Sequence, residues 1–275
     1  GLENNLVGNV WGGAHTATPN GSSFSAKVQN AWWINEAWMA ATAGKTTAKL
    51  GRMELDTPLA FTEKWSIEKN TFEAAVLMNT NIPDTTLVGA YIGNGNGTEN
   101  FGTATGVGHR GIAPVVNANG AFDTFGSNGA YALGVINNSF KPLTLQAWYY
   151  DVTRVAQAHW LQADLACGKI PGLLAGAQYS AHTLSKDASI LGGATTPGAA
   201  LSGGKDVSSD VYAFMLGFEM KDAFTLKGAY SHVGNDFAAG FNTATFNHTA
   251  TINNNAQSKL YTETVWGGNY GKVTA

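Results

Sequence analysis

LLAGAQYSAH (residues 173–182) and YAFMLGFEMK (residues 212–221) carry the clearest structural pattern in the chain. In the first, apolar side chains fall on every second residue and are opposed mainly by Gly, Gln, Ser and His. In the second, five large apolar residues alternate with small or charged ones. Successive side chains of a β-strand point to opposite faces, so this alternation predicts strands with one apolar face. Residues 143–147 and 160–165 follow the same rule.

The composition shows which kind of sheet these strands form. Charged residues make up 13% of the chain, against roughly 25% in ordinary soluble domains, and there are 34 glycines among 275 residues. Mean hydropathy is −0.09, and no segment approaches the roughly 18 consecutive apolar residues of a membrane helix. A membrane barrel alternates lipid-facing apolar residues with small or polar ones, which keeps the average hydropathy near zero. We therefore predict an all-β, antiparallel transmembrane β-barrel.

The connections between the predicted strands alternate between short turns and long loops, as they do in a barrel with two unequal ends. The link around Arg154 is the exception, because it is short where a long loop is expected. We count roughly 11 strands, an odd number for a class that usually has an even one, and expect the barrel to be incomplete at both ends. The predicted short turns lie at residues 43–44, 83–84, 138–142, 169–172 and 221–223, and the long loops at 53–70, 94–128, 185–209 and 235–258.

Two alternative interpretations remain at this point. A soluble β-sandwich also alternates, but it covers its exposed face with Lys, Glu and Thr, whereas here the polar face is mostly Gly, Ala, Ser and Gln. Residues 31–50 also fit an amphipathic helix, although Gly44 and the Thr46–Thr47 pair favour the predicted strand over residues 31–42.

Nothing in the sequence points to catalysis or to a cofactor. The formal net charge of −3 gives no reason to expect a nucleic-acid partner. Cys167 is the single cysteine, the six histidines lack metal-type spacing, and no G-x-S-x-G or calcium-loop motif occurs. Gly44-Lys45-Thr46 has the ending of a phosphate-binding loop, but Met39 stands where its first glycine is needed. We expect no enzyme, no cofactor and no metal site.

Aromatic residues are frequent near the ends of the predicted strands. Amphipathic rings favour the headgroup level of a bilayer, so they are interpreted as interfacial girdles, with core packing as the alternative for any single ring. The rings in question are Trp32, Trp38, Trp148, Tyr149, Tyr150, Trp160, Tyr212, Tyr230, Tyr261 and Trp266.

Two blocks of sequence resemble a known family. TAKLGRMELDTPLAFTEKWSIEKNTFEAAVLMNTNIPDTTLVGAYIG (residues 47–93) and AWYYDVTRVAQAHWLQADL (residues 147–165) are similar to the Campylobacter-type major outer membrane protein, within the OprD-like porins. The resemblance implies a trimeric outer-membrane barrel of about 18 strands. It also implies that residues 1–275 form one porin domain, with the loop at about residues 53–70 folded inward to narrow the pore.

Carried onto this sequence, the resemblance assigns two groups of site residues. The pore constriction is formed by Arg52, Glu54, Asp56, Glu63 and Lys64. The pore wall is formed by Arg154, Gln162, Asp164, Lys221 and Lys227. Acidic and basic groups across a narrow aqueous gap set up a transverse field that orients solutes and biases ion flow. The acidic loop predicts a mild cation preference; the alternative is that these charges are simply solvated.

These observations favour an outer-membrane porin for passive diffusion of small hydrophilic solutes and ions. Its expected partners are the lipid bilayer, lipopolysaccharide, the permeating solutes and two further copies of the chain. The alternatives are a soluble or surface-attached β-sandwich adhesin and a substrate-specific channel.

Overall fold

The computed structural model describes residues 2–4, 32–62, 69–97, 120–125, 129–154, 156–168, 170–185, 207–233 and 260–261. No helix in these ranges is both long and apolar enough to cross a membrane. Their regular structure consists of β-strands, each paired with its neighbours in antiparallel fashion. The strands are β1 (Leu2–Asn4), β2 (Trp32–Ile34), β3 (Ala37–Ala43), β4 (Thr46–Met53), β5 (Phe72–Asn79), β6 (Thr85–Gly95), β7 (Asp123–Thr124), β8 (Ala130–Asn137), β9 (Leu143–Val152), β10 (Ala156–Ala166), β11 (Leu173–Leu184), β12 (Val207–Met220) and β13 (Phe224–Val233).

One large sheet contains most of these strands. It has 11 strands in the order β13-β12-β11-β10-β9-β8-β6-β5-β4-β3, with β7 pairing on β6. Strands adjacent in this order follow one another along the chain, apart from the small strand β7. Strands β1 and β2 form a separate pair. This meander confirms the predicted all-β antiparallel class.

The predicted strand over residues 31–42 is wrong in one respect, because the chain leaves the ladder at residues 35–36 and divides it into β2 and β3. Asn35 is fully buried, and its side-chain oxygen accepts hydrogen bonds from Trp33, Thr71 and Asn96. A buried amide must find partners, and here the partners lie on other segments. The predicted helix alternative over residues 31–50 is excluded.

The two faces of the sheet differ in burial. Alternation places the buried side chains on one face, which we call the inner face, and large exposed apolar side chains on the opposite, outer face. Leu133, Leu216 and Leu226 of the outer face are 61%, 64% and 69% exposed. A soluble sandwich would bury its apolar face, so this exposure argues against that fold. The inner face bears Met53, Phe72, Ala132, Trp148, Tyr150, Trp160 and Ala213, and the outer face bears Leu50, Leu77, Leu133, Leu161, Phe214, Leu216 and Leu226.

The sequence predicted these faces correctly. All five apolar residues of the quoted β12 stretch are exposed, and the polar positions Gln178, Ser180 and His182 of β11 are buried on the inner face. The short turns also occur where they were predicted, between β3 and β4, β5 and β6, β8 and β9, β10 and β11, and β12 and β13. The β9–β10 connection is short as well, with Arg154 at a φ of 65°.

Gly51 allows β3 and β4 to approach each other closely. Its φ is 127°, and a Cβ built on it would lie 2.8 Å from the Cα of Trp38 and still nearer to the carbonyl oxygen of Ala37. Only glycine adopts this conformation at low cost, so the residue is required by the local packing.

Candidate functional site

The segment between β4 and β5 folds into a small hairpin. The backbone N–H of Thr62 donates to the carbonyl of Leu55 at 2.9 Å, and the N–H of Thr57 donates to the carbonyl of Ala60 at 3.0 Å. The Thr57 hydroxyl also donates to the Ala60 carbonyl at 2.8 Å. Pro58 occupies the second position of the tip, where its fixed φ favours a turn. The loop therefore has a defined shape of its own.

This hairpin lies against the inner face of a distant strand. The N–H of Leu59 is 3.4 Å from the hydroxyl of Tyr150, a residue 91 positions further along the chain, and both residues are buried. Tyr150 belongs to β9, whereas the hairpin leaves β4 and returns to β5, so it reaches past β5, β6 and β8. The contact therefore places the hairpin tip over the inner face.

Lys69 fastens the base of this loop. Its ammonium group donates to the carboxylates of Glu36, at 2.5 Å, and Glu54. Partial burial lowers the pKa of Lys69, but the hydrogen bonds to the two carboxylates outweigh it and raise the pKa to about 12. The same hydrogen bond lowers the pKa of Glu36. The three charges are thus held together across the loop and the start of β3.

Polar side chains form a row across the inner face, next to Trp148 and Trp160. Gln146, Gln162 and Gln178 lie directly opposite one another on β9, β10 and β11. Gln178 donates its amide N–H to Gln162 at 3.0 Å, and Gln162 donates to the Asp164 carboxylate at 2.7 Å. The indole N–H groups of Trp148 and Trp160 donate to Gln146 and Gln162, both at 3.0 Å. The row is consequently ordered by its own hydrogen bonds.

A second segment from outside the strands also lies on this face. Leu260 and Tyr261 are buried. The backbone N–H of Tyr261 donates to the Gln178 side chain at 2.9 Å, and its hydroxyl donates to the Asp164 carboxylate at 2.5 Å. Burial first, and the contact with the Asp164 carboxylate second, raise the pKa of the Tyr261 phenol.

The predicted constriction residues occupy different positions. Glu54 takes part in the Lys69 cluster. Asp56 is exposed in the hairpin, where its backbone forms an isolated antiparallel β-bridge with Phe61. Arg52 lies near the end of β4, two residues after Leu50, and therefore shares the outer face with Leu50. Its Nε donates to Glu73 at 2.8 Å. The predicted residues Glu63 and Lys64 lie outside the described residues.

The predicted wall residues separate into three groups. Gln162 and Asp164 stand on the inner face as predicted, but both are engaged by other side chains. Lys227 shares the alternation of the inner face and is exposed, whereas Arg154 and Lys221 are exposed in turns. Their effect on permeating ions stays a prediction.

The girdle interpretation is wrong for four rings. Trp148, Tyr150, Trp160 and Tyr261 are buried on the inner face, which is the core-packing alternative. By contrast, Tyr212 and Tyr230 are exposed on the outer face. The alternation along β9 could have predicted this, because Trp148 and Tyr150 lie on the same face as Gln146. For Lys69 and Tyr261 no comparable signal exists, because their partners are remote in sequence.

Ser180 and His182 are close enough to be mistaken for a catalytic pair. Their Oγ and Nε2 atoms are 2.8 Å apart and both residues are buried, but the Ser180 hydroxyl donates to the carbonyl of His159 at 2.9 Å. The serine proton therefore points to the backbone of β10, and the hydroxyl links β11 to that strand. Across the described ranges, no group of three or more His, Cys, Asp or Glu side chains is arranged to hold a metal ion.

An antiparallel meander with an exposed apolar outer face, and with its own loops on the inner face, has the fold of a porin-type transmembrane β-barrel. Solved structures share this fold. Acinetobacter baumannii OccAB1 matches with a TM-score of 0.54 and 14% identity, over 76% of this chain and 48% of that one.

Two structures from Pseudomonas aeruginosa match similarly. OccK5 (OpdH) has a TM-score of 0.54 and 14% identity, over 77% of this chain and 52% of that one. OccK8 (OprE) has a TM-score of 0.53 and 16% identity, over 72% and 50%. The chain thus spans about half the length of these structures. No family model and no curated protein matches the sequence. At these identities the likeness shows the fold, and it agrees with the OprD-like part of the resemblance.

Proposed function

We propose that this chain forms the wall of an outer-membrane porin through which small hydrophilic solutes and ions diffuse passively. The outer face meets lipid, and the inner face meets water and the inward-folded segments. The protein is proposed to have no catalytic chemistry. This function also assigns it to the outer membrane of a Gram-negative bacterium and to the OprD-like porins, with the Campylobacter-type proteins as its proposed nearer kin.

The observation that carries the proposal is the Leu59–Tyr150 contact. A loop that only sealed the rim of a sheet would have no reason to reach past three strands and bury its tip on the inner face. A loop that narrows an aqueous pore requires this position. We therefore propose that residues 53–70 form the constriction of a single porin domain, and that Glu54 and Asp56 contribute negative charge near it.

The partners follow from the same proposal. The large apolar side chains of the outer face require acyl chains or another protein surface to cover them, since soluble proteins rarely expose apolar patches of this extent. We propose that lipid, lipopolysaccharide and two further copies of the chain share this face. Passage selective for one class of solute is the second candidate, supported by the ordered amide row of Gln146, Gln162 and Gln178 on the inner face.

Planar-bilayer recording on the full-length protein tests the function directly. Stepwise conductance in KCl is expected, together with heat-modifiable migration on a gel and a need for detergent. Reversal potentials under a KCl gradient should show a mild cation preference. A protein that is soluble without detergent and leaves bilayers silent would be an adhesin-like domain, and the proposal would be wrong.

Competition experiments separate the two kinds of channel. In a general pore, conductance in KCl is unaffected by millimolar additions of neutral or charged small solutes. In a selective channel, one class of solute blocks the current in a concentration-dependent way. The second result would favour the second candidate.

A further inference from the structure

The inner wall carries a seat shaped for one side chain of the chain itself. Tyr261 is anchored at two points, by its backbone N–H on Gln178 and by its hydroxyl on Asp164. These anchors belong to adjacent strands, β11 and β10, so the residue straddles the ladder between them. The anchoring residues are 83 and 97 positions away along the chain. The contact therefore joins segments that are remote from each other in the sequence.

A glycine provides the space for this ring. A Cβ built on Gly176 would lie 2.8 Å from Cε2 of Tyr261 and still closer to its hydroxyl. Gly176 stands directly opposite Asp164 in the β10–β11 ladder, with its φ in the ordinary range. The residue is thus required by the space that the tyrosine occupies. With Gln178 and Asp164 it forms a cradle, which we call the Tyr261 seat.

Occupation of the seat changes the wall in two ways. The ring takes up volume on the inner face at the level of the amide row. The hydroxyl also donates to the Asp164 carboxylate, which accepts a further hydrogen bond from Gln162, and so weakens the attraction of this charge for cations. Removing the ring affects both properties, whereas removing only the hydroxyl affects the second.

We propose that Tyr261 is a second pore-narrowing residue, held against the inner wall by the Tyr261 seat and acting independently of the residue 53–70 loop. It sets pore size with its ring and moderates cation preference with its hydroxyl. This inference rests on the proposed channel function. It assigns to Tyr261, Gly176 and Gln178 a specificity role that the sequence analysis did not predict.

Single-channel recording on full-length variants tests it with two readouts. Tyr261→Ala should raise both the conductance and the ratio of K⁺ to Cl⁻ permeability. Tyr261→Phe should leave the conductance near that of the wild type and raise only the permeability ratio. Adding Asp164→Asn to Tyr261→Phe should cancel that rise. Gly176→Val should resemble Tyr261→Ala, because the valine side chain would occupy the space of the Tyr261 ring and displace the ring from the wall.

Two matched control variants have their substitutions on the outer face. Tyr179→Ala makes the same chemical change on the outer face of β11, and Gly228→Val adds the same side chain where nothing lies within 4 Å. Both should conduct like the wild type. If the wild type conducts and Tyr261→Ala and Tyr261→Phe are indistinguishable from it, this inference is overturned while the channel function stands. If the wild type is silent, the channel function itself is wrong.

Discussion

The backbone N–H of Leu59 meets the phenol of Tyr150 at 3.4 Å, and this contact joins the tip of the β4–β5 hairpin to β9. The bond is long, so its own contribution to stability is small. Its importance is positional, because both residues are buried and the ring of Tyr150 forms the floor on which the hairpin rests. Trp148 stacks beside it with ring centroids 6.1 Å apart. The aromatic floor consequently fixes how far the loop projects over the inner face.

Truncating this floor should open the channel. Tyr150→Ala removes a buried ring, and large-to-small changes of this kind lower the free energy of unfolding by about 3–5 kcal/mol. The hairpin tip should therefore lose its support on β9. We expect a higher single-channel conductance. We also expect the barrel to unfold at a lower temperature, as measured by its heat-modifiable migration on a gel. Tyr150→Phe should change both only slightly. The control is Tyr149→Ala, whose side chain lies on the opposite face of the same strand. Equal effects at residues 149 and 150 would contradict the assignment of the faces.

The Lys69 cluster should make loop attachment depend on pH. The pKa of Glu36 is lowered, so its contribution is present above its ordinary pKa of 4.5 and is lost as the pH falls through the lower folded value. The pKa of Lys69 is raised to about 12, so its contribution is complete below its ordinary 10.5 and is lost only as the pH rises toward 12. Thermal stability in detergent should therefore be flat between these limits and fall on both sides.

Lys69→Met should abolish most of the acid-side fall. Hydrogen bonds to charged groups are worth about 1.5–3 kcal/mol each, so the variant should also be less stable at neutral pH. Lys45→Met, in the exposed β3–β4 turn, serves as the control and should keep the wild-type pH profile. A Lys69→Met protein with an unchanged acid limb would show that other carboxylates govern it.

The outer face should reject charge. Leu216, near the middle of β12 and 64% exposed, should face the acyl chains. Leu216→Arg is expected to destabilise insertion by up to about 2–4 kcal/mol, the cost of an arginine on the lipid face near the midplane. Thr225→Arg, on the inner-face side of β13, should insert normally. Folding yields into lipid vesicles, measured by the gel-mobility shift, provide the comparison; similar yields for the two variants would argue against a lipid-facing surface.

Gly51 should resist even the smallest side chain. At its φ of 127° a methyl group would collide with the backbone of β3, and strain of this kind costs about 1–3 kcal/mol. Gly51→Ala should therefore lower the unfolding temperature in detergent. Gly228→Ala should not, because open space surrounds that position. Matching unfolding temperatures for these two variants would mean that β3 can move away from β4 freely.

Lys227 should tune ion selectivity more than Lys221. Lys227 shares the inner-face alternation of β13, whereas Lys221 lies in the β12–β13 turn. A charge on the wall of a narrow aqueous path acts on ions at short range, while one in the turn is screened. Lys227→Glu should thus shift the KCl reversal potential further toward cations than Lys221→Glu does. The opposite ranking would place Lys227 away from the permeation path.

The strands, their two faces and the alternation of short and long connections could be predicted from the sequence. Each of these depends on side chains only one or two residues apart, because a strand turns successive residues to opposite sides. Continued over β9, the same rule also assigns Trp148 and Tyr150 to the inner face. The division at Asn35 was not predicted, because that break depends on Thr71 and Asn96, which lie just before β5 and just after β6.

The contacts on the inner face depend on the three-dimensional structure. The hairpin tip on Tyr150, the Lys69 cluster and the Tyr261 seat each join residues that are remote along the chain, and no local pattern encodes such pairings. Asp164 shows the difference plainly. Its alternation marked it as a wall carboxylate, yet only the folded chain brings Tyr261 within hydrogen-bonding distance of it. Alternation fixes the direction in which a side chain points, whereas its partner depends on which distant segment the folded sheet brings against it.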